Sequence, residues 1–303
     1  MGRPEGLALV KYEGLGNDFL VLLDAEGAPP LDVALARAAC DRHRGWGADG
    51  MLRGSLAPPG AAWHLAFQLL NADGSEAEVS GNGLRCLVHA AVDEGLVNAG
   101  PGSSVSVVTP AGGREVHIRA LAAGEMWAST EMGEPKVRGG AELCNVGDGQ
   151  LLVDVGNPHL VVLGPDPASI DVSGLGRTLS AAVGEGGCNV EFVTLGPGPD
   201  EVTMRVWERG VGETLACGTG SVAAAAALRH WGRVASKVTV HQPGGSAEVE
   251  LRSDGAAVLS GPSHRIGRCF FDRTGGFPGF DARATVGARD ARAGRTMGER
   301  AGS

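Results

Sequence analysis

Along this chain the apolar positions fall mostly at every second residue over short runs, the spacing of strands with one buried face. Residues 7–12 and 18–23 read as strands joined by Gly14-Leu15-Gly16-Asn17, a turn with two glycines and an amide. Residues 63–70 read as a buried strand, and 104–109 with 114–118 as a hairpin around Pro110-Ala111-Gly112-Gly113. Further strands are expected at 125–131, 150–155, 160–163 and 202–207, a second hairpin at 237–251, and two closing strands at 256–260 and 267–272. Helical spacing marks three stretches: 31–43, the apolar run from Cys86, and the Ala-rich run from Ser221. Residues 53–60, rich in glycine and proline, read as loop. Residues 273–303, rich in Gly, Arg and Ala, read as a disordered tail.

The last two helices are approached in the same way. Asn71-Ala72-Asp73-Gly74-Ser75-Glu76 and then Ser80-Gly81-Asn82-Gly83-Leu84-Arg85 lead into one. Glu208-Arg209-Gly210-Val211-Gly212-Glu213-Thr214 and then Cys217-Gly218-Thr219-Gly220 lead into the other. Asn17-Asp18-Phe19-Leu20-Val21 resembles Asn157-Pro158-His159-Leu160-Val161 at an offset of 140, close to the 137 that separates Ser80 from Cys217. One unit of about 140 residues used twice follows. Many strands with one central helix per half predict an α+β fold of two pseudo-symmetric lobes, each a mostly antiparallel β-sheet wrapped around its helix, with a cleft between them. The lobes are placed at residues 1–119, joined by a return strand at 266–272, and at 120–265.

Composition narrows the function. With 303 residues, 43% of them apolar and 20% charged, the chain has material for about two ordinary globular cores. A net charge of −9 argues against nucleic acid or an anionic membrane as partner. The first residues lack the apolar core of a signal peptide, and no run approaches the ~20 apolar residues that span a bilayer, so a cytoplasmic protein is expected. Six cysteines at 40, 86, 144, 188, 217 and 269 form no C-x-x-C pair and the histidines no H-x-x-x-H pair, which predicts neither a disulfide framework nor a metal site. Lysine occurs only at 11, 136 and 237, leaving few candidates for a pyridoxal Schiff base.

Cys217 stands out chemically. Glycines flank it and strong helix formers follow, so it should sit where a loop becomes the first turn of a helix. Unpaired N–H groups and the helix dipole favour a thiolate there, and its pKa is expected to fall from ~8.5 toward neutrality. Gly45-Trp46-Gly47-Ala48-Asp49-Gly50 matches the letters of a dinucleotide fingerprint, but no strand is expected before it and no helix after it, which argues against that use.

Taken together, Gly14-Leu15-Gly16-Asn17-Asp18-Phe19, Asn71-Ala72-Asp73-Gly74-Ser75-Glu76, Gly81-Asn82-Gly83-Leu84-Arg85, Gly156-Asn157-Pro158-His159, Asn189-Val190-Glu191-Phe192 and the block from Glu208 to Gly220 closely resemble the diaminopimelate epimerase family, in order, from about residue 9 to 272. The resemblance implies a cytosolic, cofactor-independent homodimer that interconverts LL- and meso-2,6-diaminopimelate for lysine and peptidoglycan precursors. It implies Cys217 as one of two catalytic bases, with Gly81, Asn82, Gly218 and Thr219 holding the substrate α-carboxylate. It further implies substrate contacts from Asn17, Asn71, Asn157, Asn189, Glu208 and Arg209, and adjustment of base ionisation by His159 and Glu208. Such a reaction needs an acid and a base on opposite faces of one carbon, and two facing helix N-termini suit a carboxylate whose charge grows.

One position departs from the pattern. The family carries its other catalytic cysteine immediately before Gly81, where this chain has Ser80. An unactivated hydroxyl is harder to ionise than a thiol, and loss of a positioned acid or base typically costs ~10² to 10⁴ in rate. Ser80 then relays a proton through water or a neighbour, stands where an original cysteine was replaced, or belongs to a related reaction. Cys86, six residues further along the helix, points elsewhere. A related amino acid racemase or hydroxyproline dehydratase of the same fold, and a non-catalytic amino-acid-binding protein, stay open as alternatives.

Overall fold

An alternating strand buries only one face, so this many short strands need an apolar body to close around; each half supplies a helix that is buried along most of its length. The computed structural model describes residues 6–24, 31–77, 80–140, 143 and 147–272. The tail expected at 273–303 lies outside the described residues.

The first half contains β1 (Gly6–Gly14), β2 (Asn17–Asp24), α1 (Val33–Cys40), β3 (Gly50–Leu56), β4 (Leu65–Asn71), the two-residue β5 (Glu76–Ala77), α2 (Gly81–Asp93), β6 (Ser104–Thr109), β7 (Gly112–Ala122) and β8 (Glu125–Gly133). The second contains β9 (Lys136–Gly140), β10 (Gly149–Asp154), β11 (Pro158–Leu163), α3 (Val172–Ala182), β12 (Asn189–Leu195), β13 (Glu201–Glu208), β14 (Gly212–Thr214), α4 (Gly218–His230), β15 (Lys237–Gln242), β16 (Gly245–Leu251) and β17 (Ala257–Asp272).

Pairing closes two rings of strands. In the first, β1–β2 is antiparallel, β2–β3 parallel, β3–β4 antiparallel, β4–β6 parallel, and β6–β7, β7–β8, β8–β17 and β17–β1 antiparallel. The second repeats the sequence of directions: β10–β11 antiparallel, β11–β12 parallel, β12–β13 antiparallel, β13–β15 parallel, β15–β16 and β16–β17 antiparallel. It closes through β17–β8 and through β9, which follows β8 in the chain and pairs with β10. Strands β8 and β17 therefore serve both barrels. The boundary expected at residues 119 and 120 falls inside β7, which runs on to Ala122.

Helix α2 fills the first barrel, buried from Gly81 to Ala91 among Tyr12, Phe19, Leu52, Phe67 and Ile118. Helix α4 fills the second, buried from Gly220 to Leu228 among Val161, Val206, Met204, Val240 and Leu259. Helices α1 and α3 lie against the outside of the parallel pairs, in separate clusters with Leu20 and Met51 and with Leu160 and Phe192.

Three expectations are corrected. Residues 53–56 continue β3 instead of forming loop, because Gly54 lets the sheet approach α2: a Cβ there would lie 2.5 Å from Leu87 Cδ1. Helix α3 was not expected at all, since Gly174 and Gly176 lower its propensity. Gly176 is the contact that seats it, a Cβ at that position reaching 2.3 Å from Trp207 Cβ. The two closing strands are one 16-residue strand, β17, which carries Gly261-Pro262 through its middle; Pro262 pairs with Trp127 and Gly261 clears space for the Arg85 guanidinium.

Candidate active site

The two barrel helices begin alike. Ser80 caps α2 with extended backbone (φ −140°, ψ 123°), and its Oγ accepts from Gly83 N at 3.0 Å. Cys217 caps α4 with φ −132° and ψ 118°, and its Sγ accepts from Gly220 N at 3.3 Å. Both follow the N-cap rule, with a short polar side chain taking one of the four N–H groups that a helix start leaves unpaired. The mouths also converge. A Cβ on Gly81 would lie 3.2 Å from Leu259 Cδ2, and a Cβ on Gly218 would lie 2.9 Å from the same methyl carbon, so one methyl group of β17 separates the first turns of the two helices. The turn between β1 and β2 crosses to the second half. Leu15 is buried in the α4 core, and Gly16 packs on Leu215, two residues before Cys217.

Around the caps the halves differ. The position of a Cβ on Gly83 faces Ser80 and the Leu52 methyl Cδ2 at 3.5 Å; the matching position on Gly220 faces Cys217 and Glu191 Oε1 at 2.8 Å. His159 on β11, matching Phe19 on β2, is fully buried and its Nδ1 meets Glu191 Oε1 at 2.7 Å, while Nε2 meets Asn157 Oδ1 at 3.0 Å. Glu208, matching Asn71, accepts the Thr214 hydroxyl and faces the Cys217 thiol. Among the described residues, Leu52 thus stands beside the Ser80 cap, where the Cys217 cap meets the carboxylates of Glu191 and Glu208.

That contrast corrects the expected thiolate. Burial pushes the Cys217 thiol well above its ordinary value, and the charges of Glu208 and Glu191 push it the same way; the Thr219 hydroxyl and Gly220 N–H oppose them without winning. Cys217 therefore rests protonated. Burial likewise raises the Glu208 carboxyl, helped by Glu191 and opposed by the bonds from Thr214 and Cys217. The backbone of Cys217 is held through Gln242, whose Oε1 accepts from Cys217 N at 2.8 Å and whose Nε2 donates to Ser221 Oγ at 3.0 Å.

The remaining expected residues form three groups. Asn17 and Asn82 meet each other, Asn82 Nδ2 donating to Asn17 Oδ1 at 3.4 Å. Asn189 Oδ1 accepts from Arg209 N at 2.9 Å, and the Arg209 guanidinium rests on the Gly186 and Gly187 carbonyls. Asn71 is the outlier, its Nδ2 donating to Ser75 within its own turn at 3.0 Å. Cys86 is fully buried in the α2 core with its thiol raised by burial. Sequence reasoning assigned no role to Glu191, Gln242, Asp49 or Arg85, although Asn189-Val190-Glu191-Phe192 was already singled out; a carboxylate two residues from an amide on a buried strand was the available signal. Among the described residues no three His, Cys, Asp or Glu side chains are grouped to hold a metal ion, and no helix is long and apolar enough to cross a membrane.

The profile of the family described as diaminopimelate epimerase matches residues 9–137 and 151–266, most of both barrels. This chain belongs to the diaminopimelate epimerase family. It is 40% identical over 273 residues to a diaminopimelate epimerase of Corynebacterium glutamicum, covering 85% of this chain and 95% of that one. A diaminopimelate epimerase of Desulfitobacterium hafniense is 36% identical over 278 residues, with the same coverage. Solved structures share the fold at lower identity. A hydroxyproline epimerase from Agrobacterium vitis superposes with a TM-score of 0.64 at 18% identity, covering 88% of this chain and 91% of that one. A PhzF-family phenazine biosynthesis protein of Bacillus anthracis gives 0.68 at 14%, covering 88% and 98%.

Proposed function

We propose that this protein is an isomerase that interconverts LL- and meso-2,6-diaminopimelate, using Cys217 and Ser80 on opposite faces of the substrate α-carbon. The observation that carries this reading is the convergence of two capped helix mouths on one Leu259 methyl group. In this reading the N–H groups of Gly81, Asn82, Gly218 and Thr219 hold the α-carboxylate between the helices, where growing negative charge meets positive helix ends. Asn17, Asn71, Asn157, Asn189, Glu208 and Arg209 bind the rest of the substrate, Arg209 suiting a carboxylate.

Cys217, resting as a thiol, delivers a proton to the carbanion. To act as base it first passes its proton to Glu208, whose raised pKa makes it a closer match for a thiol than an exposed carboxylate is. Ser80 is the weak partner: among the described residues its hydroxyl oxygen accepts from the Gly83 N–H and has no acid or base bonded to it. The protein works in this reading without pyridoxal phosphate, as a cytoplasmic homodimer; sedimentation tests the assembly. The active site lies between the two barrels.

Incubation with LL-diaminopimelate in D₂O tests the reaction. Meso product carrying α-deuterium supports the proposal. Exchange without inversion assigns one working base, and neither exchange nor inversion overturns the enzymatic reading.

A further inference from the structure

Four polar side chains on the α2 side of the site form a line whose direction is fixed at both ends. Arg85, fully buried, donates from Nη2 to Asn82 Oδ1. Asn82 Nδ2 donates to Asn17 Oδ1 at 3.4 Å, and Asn17 Nδ2 donates to Asp49 Oδ2 at 2.8 Å. Asp49 is braced in turn, Oδ1 accepting from Arg42 Nη2 at 2.7 Å and Oδ2 from Asp18 N at 3.1 Å. Asp18 holds the same Arg42 and also Lys11.

The two ends cannot exchange roles. A guanidinium only donates and a carboxylate only accepts, so Arg85 claims the oxygen of the Asn82 amide and Asp49 claims the nitrogen of the Asn17 amide. An asparagine amide is nearly isosteric on rotation, and what it offers a ligand depends on which way it is turned. With both ends set, Asn82 presents an N–H and Asn17 presents an oxygen lone pair. A donor beside the α2 mouth suits a carboxylate, and an acceptor next to it suits an ammonium group. Those are the two charged groups on one amino acid α-carbon.

Arg85 has a further peculiarity. Among the described residues its one other bond is from Nε to Pro262 O at 3.5 Å, and Nη1 is buried with no partner. No carboxylate among the described residues pairs with it. A buried cation without an acid partner is costly as a purely structural element. Beside a helix mouth that receives an anion, the same charge gains a counterpart when ligand binds.

We propose that Arg85 and Asp49 are positioning residues that lock the Asn82 and Asn17 amides in one polarity, so that this side of the site reads the zwitterion of an α-amino acid. The proposal rests on the function given above for its ligand, but not for the line itself. Two measurements keep them apart: calorimetric binding of meso-diaminopimelate, and hydrogen exchange of the side-chain amide protons of Asn17 and Asn82 followed by NMR in unliganded protein. In Arg85→Met the amide protons of both asparagines should exchange faster. Affinity should fall about tenfold or more, the scale of one lost hydrogen bond to a charged group. Arg85→Lys, which keeps a cationic donor, should restore most of both. Asp49→Ala, at the solvent-facing end, should loosen the Asn82 amide as well as that of Asn17, and serves if Arg85→Met fails to fold. A folded Arg85→Met or Asp49→Ala protein in which only the adjacent amide responds overturns the proposal, as does a lower melting temperature with unchanged affinity. Failure of the wild-type protein to bind meso-diaminopimelate sinks the functional reading, while the amide exchange still decides the line.

Discussion

Replacing Glu208 with Gln should make Cys217 more reactive while making the protein a poorer enzyme. The Glu208 carboxyl faces the Cys217 thiol, and its charge is the largest influence after burial that holds the thiol protonated. Two unit charges about 4 Å apart interact by about 4 kcal/mol at an effective dielectric of ~20. Glu208 is only half-buried by surface area and its own pKa is raised, so solvent screening and partial protonation reduce this to about 1.5–3 kcal/mol. The sign is definite. Removing a negative neighbour lowers the thiol pKa, and below the midpoint the thiolate fraction rises about tenfold to a hundredfold. Iodoacetamide modification followed from pH 7 to 10, with Cys217 identified by peptide mass, measures it directly. Bound diaminopimelate should protect the thiol. A midpoint that stays in place or moves upward in Glu208→Gln would refute the assignment of Glu208 as the charge that controls Cys217.

Ser80→Cys should raise the inversion rate by ~10² to 10⁴, because it places an ionisable acid at the second helix mouth; unchanged turnover in a coupled assay would mean that the hydroxyl is not the limiting group. Gly218→Ala should cost about 1–3 kcal/mol in urea unfolding through the 2.9 Å approach of its Cβ to Leu259, and kcat/KM should fall more than stability accounts for, since the helix mouth shifts. Gly81→Ala, with 3.2 Å to the same carbon, should be milder, and equal losses in both would count against the geometry. Stability should decline in alkali. Burial pushes Cys40 and Cys188 up to about 12, so folded thiols keep protons that unfolded thiols release from about pH 8.5 upward, at about 1.4 kcal/mol per thiol per pH unit between those values. Cys40→Ala should flatten that decline in denaturant titrations from pH 8 to 10.5, and an unaltered slope would contradict the burial of this thiol.

The parts of the fold written in local periodicity were legible. Both hairpins and the two barrel helices lie where the apolar runs placed them, although the helices already start at Gly81 and Gly218, inside the glycine segments expected to lead into them; Cys217 stands at the helix start foreseen for it, and the repeated order of strand directions matches the internal offsets of 140 and 137. What was misread shares a cause. Gly54, Gly176 and Gly261 look like interruptions along the sequence, yet each makes room for a side chain from another element: Leu87, Trp207 and Arg85. That role exists only in three dimensions. The thiol was misread for a related reason, because helix-end stabilisation is a local effect and the opposing burial and carboxylates come from β12 and β13. The partners of His159 and Asn82 were out of reach too, since Glu191 and Arg85 acquire meaning through neighbours that no spacing rule connects.

Strands β8 and β17 bind this molecule into a pair of barrels with two staves in common. Neither half owns a complete wall, so a polypeptide severed between Gly133 and Lys136 should yield fragments that need each other to fold. Any widening of the gap between the helix mouths must bend those two strands. The substrate is accordingly held by something closer to a leaf spring than to a pair of doors.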